Sequence, residues 1–210
     1  MKWKKVISIV CMALSLLAVT ACGGQQAAQN GGSKAAGTAA AEKAPAKAKK
    51  VLVVYYTNTH RTEQVAKTIA GETGGDLYLL DLEKPYTPAD LDYNNKSARV
   101  YKEHDDPSLR NVALKNAKPA NWQDYDTVFV GYPIWWGIAA WPMDTFVKSN
   151  DFTGKTVIPF ATAYSSGLGS SADQLKEMAG SKGTWLQGRC FTGTIQDSQV
   201  KDWVKSLGVK

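Results

Sequence analysis

The chain has 210 residues, 44% hydrophobic and 21% charged, which places it among globular proteins long enough for one well-buried core. Its net charge is +6, but the excess is local: Lys2, Lys4 and Lys5 open the chain, and five lysines face only Glu42 between Gly23 and Lys50. From Val51 onward the net charge is −1, so the basic character belongs to the N-terminal stretch and marks no nucleic-acid-binding surface.

Those first lysines precede a mostly apolar run from Val6 to Ala21. That length suits a secretory h-region and falls short of the roughly 20 residues of a membrane-spanning helix. The run ends in Val19-Thr20-Ala21-Cys22-Gly23, which resembles the lipobox of bacterial lipoproteins. Small residues precede the cleavage point, and the Cys22 thiol accepts the lipid. An uncleaved anchor helix is the competing reading, disfavoured by the run length. The expectation is a signal peptide over 1–21 and export. Cys22 would carry the lipid that anchors the protein to the cell membrane or outer membrane, since two or more acyl chains give stable anchoring. Cys11 is then lost and Cys190 is left as the one free thiol, with no partner for an internal disulfide.

Between Gly23 and Lys50 there is no aromatic or branched aliphatic residue. Such a composition cannot offset the entropy of ordering. Residues 22–50 are therefore expected to form a disordered tether, with an end-to-end distance of roughly 30 Å.

From Val51 the pattern changes to alternating strands and helices. Val51–Tyr56 is a continuous apolar run, as expected of a strand buried on both faces of a parallel sheet. Val65, Ala66, Ile69 and Ala70 then fall at helical spacing, and Gly74-Gly75 ends that helix. Further strands are predicted at Leu77–Leu82, Thr127–Tyr132, Thr156–Thr162 and Trp185–Phe191. Pro159 conflicts with a central strand because it removes a ladder donor. Helices are predicted from Pro142, from a Ser170 or Ser171 cap, and from an Asp197 cap with Val200, Trp203, Val204 and Leu207 on one face. Between Glu83 and Asp126 the chain is irregular, with a helix expected over about Asp90–His104. An elaborated surface crossover is a more common explanation for such a stretch than a functional lid. The pattern argues an α/β fold, a three-layer doubly wound sheet of five parallel strands. The fold domain would span 51–210.

Three loops follow strands at their carboxyl ends, where open α/β sheets bind ligands. Thr57-Asn58-Thr59-His60-Arg61-Thr62 runs into a helix, whose N–H groups and dipole suit a phosphate. A plain helix cap explains such a loop equally. Pro133-Ile134-Trp135-Trp136-Gly137 places adjacent indoles in different directions, so that one can stack on a planar ring, although edge packing competes with that role. Thr162-Ala163-Tyr164-Ser165-Ser166-Gly167-Leu168-Gly169 has small residues that let backbone N–H groups approach a ligand closely. An ordinary flexible loop looks the same. Together the three loops are best explained by a phosphorylated planar cofactor.

These motifs resemble the flavodoxin family, and more closely its short-chain, often exported, flavodoxin-like branch. The resemblance covers Val51–Lys210, and Pro133-Ile134-Trp135-Trp136-Gly137 is its most specific element. It implies strand order 2-1-3-4-5 and an FMN cofactor. Thr57, Thr59 and Thr62, with the backbone around Asn58, His60 and Arg61, would hold the phosphate. Trp135 or Trp136 would stack on the isoalloxazine, with Pro133, Ile134 and Gly137 shaping that loop. Tyr164, Ser165, Ser166, Gly167 and Gly169 would run along the other edge of the ring. His60 stands where flavodoxins commonly have glycine, and Arg61 adds a cation that either tightens phosphate binding or points to solvent.

Neither His104, read as a solvated surface residue, nor Cys190, read as a small buried apolar residue, reads as catalytic. Two roles compete. One is a membrane-tethered electron carrier working with a redox partner or quinone. The other is an NAD(P)H- or quinone-dependent flavin oxidoreductase. A flavin-free scaffold is a third reading if His60 and Arg61 spoil the phosphate loop. The leader itself is directly testable. Cys22→Ala is expected to leave unprocessed precursor in the membrane fraction, read by mass spectrometry. Normal cleavage and membrane retention in that variant would contradict the lipobox reading.

Overall fold

A computed structural model of the protein describes residues 49–209. The leader, Cys22 and the tether as far as residue 48 lie outside the described residues. Among the described residues, no helix is long and apolar enough to cross a membrane.

Strand β1 (Val51–Tyr55) leads through helix α1 (Arg61–Thr73) to β2 (Asp76–Leu79). The crossover carries α2 (Arg99–Asp105) and two short 3-10 turns before β3 (Thr127–Trp135). A hairpin partner β4 (Ile138–Ala139), α3 (Pro142–Ser149), β5 (Thr156–Thr162) and α4 (Ser171–Met178) come next. Two short strands, β6 (Thr184–Trp185) and β7 (Arg189–Phe191), precede α5 (Asp197–Ser206). The sheet runs β2-β1-β3-β5, with β6 and β7 both pairing parallel to β5, while β4 is antiparallel to the end of β3. With β6 and β7 taken as one interrupted strand and the hairpin set aside, this is the expected order 2-1-3-4-5.

Alternation along β1 sets the layers. Val51, Val53 and Tyr55 pack with Val65, Ile69, Val200 and Trp203 of α1 and α5. Leu52, Val54 and Tyr56 pack with Met143, Phe146 and Leu175 of α3 and α4. Both sheet faces are thus covered, which is why β1 reads as an unbroken apolar run.

The structure resolves the conflict at Pro159. Thr156 donates its N–H to Asp126 O of the β3 side at 2.8 Å, whereas Val157 O accepts from Leu186 N at 2.9 Å. Odd-numbered residues of β5 therefore address the edge strand. The missing N–H of Pro159 faces the gap between β6 and β7, where no ladder bond is needed. Gly188 lies in that gap, where a Cβ would come within 2.5 Å of Pro159 O. The predicted strand Trp185–Phe191 is thus two pieces.

Other expectations need correction. β2 stops at Leu79 and β3 continues past Tyr132 to Trp135. The helix expected over Asp90–His104 is confined to Arg99–Asp105. Upstream of it, Asp90, Asp92 and Asn95 accept from the backbone N–H groups of Thr87, Asn94 and Ser97. Asx side chains compete in this way with helical hydrogen bonding. Neither Ser170 nor Asp197 caps through its side chain. Ser171 Oγ instead donates to Leu168 O at 2.6 Å and meets the Tyr132 hydroxyl at 3.0 Å, and Asp197 accepts from Gln64.

The crossover is pinned by Glu103, which is only 5% exposed. Its carboxylate accepts from the Tyr86 hydroxyl at 2.6 Å and from Arg99 Nε at 2.7 Å, and the Arg99 guanidinium lies 3.9 Å from the Tyr86 ring centroid. At the sheet centre, a Cβ on Gly131 would come within 2.1 Å of Phe160 Cζ. Phe160 is fully buried and cannot swing away. Gly131→Ala is therefore expected to destabilise the fold by about 1–3 kcal/mol, as overpacking does. Urea unfolding of the two proteins measures this.

Candidate functional site

The β1 carboxyl end delivers the chain to α1 through a sharp reversal. Tyr56 N still pairs with Gly131 O at 3.0 Å, and His60 then takes φ 61° as the residue before the helix. A non-glycine residue there is uncommon, but histidine is among those that tolerate it. No side chain caps the helix, so the N–H groups of its first turn have no intrahelical acceptor and the positive end of the dipole is open. His60 Nδ1 lies 2.6 Å from Glu63 Oε2, and Lys67 Nζ lies 2.6 Å from the other oxygen of that carboxylate. Lys67, then His60, holds Glu63 below the usual carboxylate range.

Arg61 does not point to solvent. Its Nη2 donates to Gly193 O at 2.6 Å, and the side chain borders a cavity of about 350 Å3 at the sheet edge. Asn58 and Thr59 border the same cavity from the first loop. Pro133, Ile134 and Trp135 border it from the second, and Thr162, Ala163 and Tyr164 from the third. The three loops therefore meet at one cavity. The Thr62 hydroxyl, buried and 2.8 Å from that of Thr162, braces the first loop against β5.

Beneath the first loop the Asn58 amide oxygen and the Tyr56 hydroxyl are shut off from solvent without a well-formed hydrogen bond, and the Asn58 amide acts on the Tyr56 phenol, opposing the effect of burial. Burial holds the Tyr56 phenol far above its usual pKa. A buried acceptor without a donor is costly unless a ligand or water completes it. The Asn58 residue also borders the cavity.

The remaining expected residues stand outside this lining. Thr57 and His60 border a neighbouring cavity of about 270 Å3 that shares Asn58. Ser165, Ser166, Gly167 and Gly169 lie farther along the third loop; Ser166 O is 3.5 Å from Cys190 Sγ, and a Cβ on Gly169 would stand 3.4 Å from Gly137 O. Cys190 is half-buried rather than a core residue. Trp135 is 4% exposed, its ring edge-on to those of Tyr56, Tyr86 and Trp141. Trp136 takes φ 45° and stacks on His104, ring centroids 4.4 Å apart. His104 is accordingly part of an aromatic cluster and not a solvated surface residue.

Sequence reasoning missed Leu91 and Tyr93, which reach the cavity from the crossover. The available signal was an apolar residue and an aromatic one embedded in an Asp- and Asn-rich stretch. Helical periodicity, which that stretch lacks, was no guide to them.

A profile of the flavodoxin family matches residues 50–207. The chain belongs to the flavodoxin family. A candidate flavoprotein of known structure from Bacteroides eggerthii DSM 20697 is 40% identical, with TM-score 0.69, over 77% of this chain and 99% of that one. Another, from Bacteroides uniformis ATCC 8492, is 38% identical with the same TM-score, over 76% of this chain and 99% of that one. A flavoprotein from Lactobacillus acidophilus NCFM, solved in complex with FMN, shares the fold at 20% identity and TM-score 0.50, over 74% of this chain and 99% of that one. A comparison with curated proteins returned no match.

A separate cavity of about 400 Å3 is bordered by Ile138 and Ala139 of the hairpin and by Arg110, Asp144, Lys148 and Ser171. Burial pushes the Asp144 carboxyl up to about 6, against the opposing pull of Lys148 and Arg110. A carboxyl whose pKa is higher in the folded state stabilises the fold below its unfolded pKa and loses that contribution as pH rises through 6. Asp144→Asn is expected to raise Tm relative to the wild type at pH 8 and to lose that advantage near pH 4. Thermal melts across this range check the sign.

Proposed function

We propose that this flavodoxin is an exported, lipid-anchored protein that binds FMN and exchanges electrons with a partner in the same membrane. The observation that carries the reading is the meeting of three strand-end loops at one cavity, beside an uncapped helix N-terminus. These features match the parts of FMN: a phosphate, a hydroxylated chain and a planar ring.

FMN when bound supplies reversible electron storage; the protein supplies orientation, electrostatics and access. The first-turn N–H groups of α1, with the Thr57 and Thr59 hydroxyls, would hold the phosphate on the positive end of the dipole. Arg61, steadied by Gly193 O, adds a fixed cation. Thr62 serves as a brace, its hydroxyl already engaged by Thr162. Asn58 would line the path of the sugar chain. Pro133, Ile134 and Trp135 give the ring an apolar wall, and the polar third loop from Tyr164 to Gly169 flanks its other edge.

Tyr164 is 95% exposed, which leaves that rim open to a partner. The net charge of −1 from Val51 onward gives a soluble protein little to steer by. A tether of roughly 30 Å instead confines the domain near the bilayer, where a quinone or membrane redox protein is concentrated. The near-neutral charge counts against an electron carrier, and the tether is what favours one.

Fluorescence titration of the full-length protein is expected to show FMN binding at least about a hundredfold tighter than riboflavin. Each charge-assisted phosphate contact contributes about 1.5–3 kcal/mol. Equal affinities would sink the phosphate-site assignment. In anaerobic stopped-flow, the FMN-loaded protein is expected to be reduced faster by quinol-containing membranes than by NADH or NADPH. Rapid saturable reduction by a nicotinamide would make it an oxidoreductase.

A further inference from the structure

The crossover brings one aromatic ring to the cavity that no strand-end loop supplies. Tyr93 borders the cavity together with Leu91, yet the residue is 43% exposed. On its other side the ring rests on Trp136, centroids 4.8 Å apart and planes tilted by 48°. Burial pushes the Tyr93 phenol up to about 12, so it remains a neutral hydrogen-bond donor across physiological pH.

Trp136 is held on several sides. It stacks on His104 at 4.4 Å with planes 4° apart, meets the Tyr101 ring at 6.1 Å and lies 6.3 Å from Trp141 at 10°. Its φ of 45° is an uncommon conformation for a bulky residue and persists only where the surroundings enforce it. Tyr101 and His104 belong to α2, which the buried Glu103 fixes through Arg99 and Tyr86. The Trp136 indole is therefore committed to the crossover, and the ring it supports at the cavity is Tyr93.

We propose that Tyr93 is an aromatic wall of the flavin pocket and that Trp136 is a positioning residue that holds it there. This rests on the FMN reading above. A planar ring in the cavity would cover the apolar surface that Leu91 and Tyr93 leave open, and an offset or edge-on aromatic contact adds affinity beyond that burial. The long crossover is then a fourth contributor to the site, beside the three strand-end loops. The tandem tryptophans divide their work, Trp135 bordering the cavity and Trp136 supporting Tyr93.

The test uses the full-length protein and its Tyr93→Leu, Tyr93→Phe, Trp136→Leu and Tyr93→Leu/Trp136→Leu variants. All are titrated with FMN while flavin emission and the visible spectrum are followed. Tyr93→Leu is expected to weaken FMN by about 2- to 12-fold and to raise the emission of bound flavin. Tyr93→Phe keeps the ring and should stay near the wild type. Trp136→Leu should move both signals in the same direction as Tyr93→Leu and add little in the Tyr93→Leu background, because the two act through one ring. Wild-type affinity and emission in Tyr93→Leu would overturn the proposal, as would a larger rise in emission from Trp136→Leu. If the wild type binds FMN in either case, the cofactor reading survives. A wild type that takes up no FMN overturns both.

Discussion

A carboxylate cannot be left alone in a protein interior, and the crossover is organised around satisfying Glu103. Its burial obliges Arg99 and Tyr86 to stay with it, because stripping a partner from a buried ion pair costs about 3–5 kcal/mol. Tyr86 in turn meets the Trp135 ring edge-on at 5.2 Å. A segment with few regular elements is thereby pinned to the loop after β3. Lys155 secures its far end, donating to Trp122 O at 2.8 Å and Tyr125 O at 2.6 Å. Between Tyr86 and Arg99, both held on Glu103, the crossover carries Leu91 and Tyr93 to the cavity. The wall of the cavity is therefore held by charges that stand outside it.

The sheet contributes a different kind of order. Parallel strands place every strand-to-helix loop on one edge, so loops separated by about a hundred residues meet there without any motif that links them. The Thr62–Thr162 hydroxyl pair is the contact that closes this convergence. The interruption between β6 and β7 shows how tightly such a sheet constrains its members. Pro159 removes one donor, and the neighbouring strand is broken where that donor would have been used.

Exposure at the rim fits a protein that meets its partner by confinement. A strong surface field speeds encounters in dilute solution. In the proposed function, a tether that keeps the domain close to a membrane would lessen the need for one. The open Tyr164 side is compatible with that proposal.

The chain's own order of residues determined much of this protein. The continuous apolar run at Val51–Tyr56 and the β-branched stretch at Thr127–Tyr132, alternating with helical spacing, pointed to buried parallel strands and so to the layered α/β fold. The Thr- and Asn-rich loop before α1 and the Pro133–Gly137 loop marked the sheet edge where the cavity lies, because strand-end loops are local in sequence. Tertiary structure decided what depends on long-range contact. Periodicity could not show that Trp136 would turn toward His104, since adjacent side chains diverge and the choice is made by α2, some thirty residues earlier. It could not place Tyr93 either, because Asx turns leave no regular repeat from which a side chain's direction can be read. Nor could it show that the missing donor of Pro159 would face a gap, because which neighbour a peptide group addresses is set by strand register.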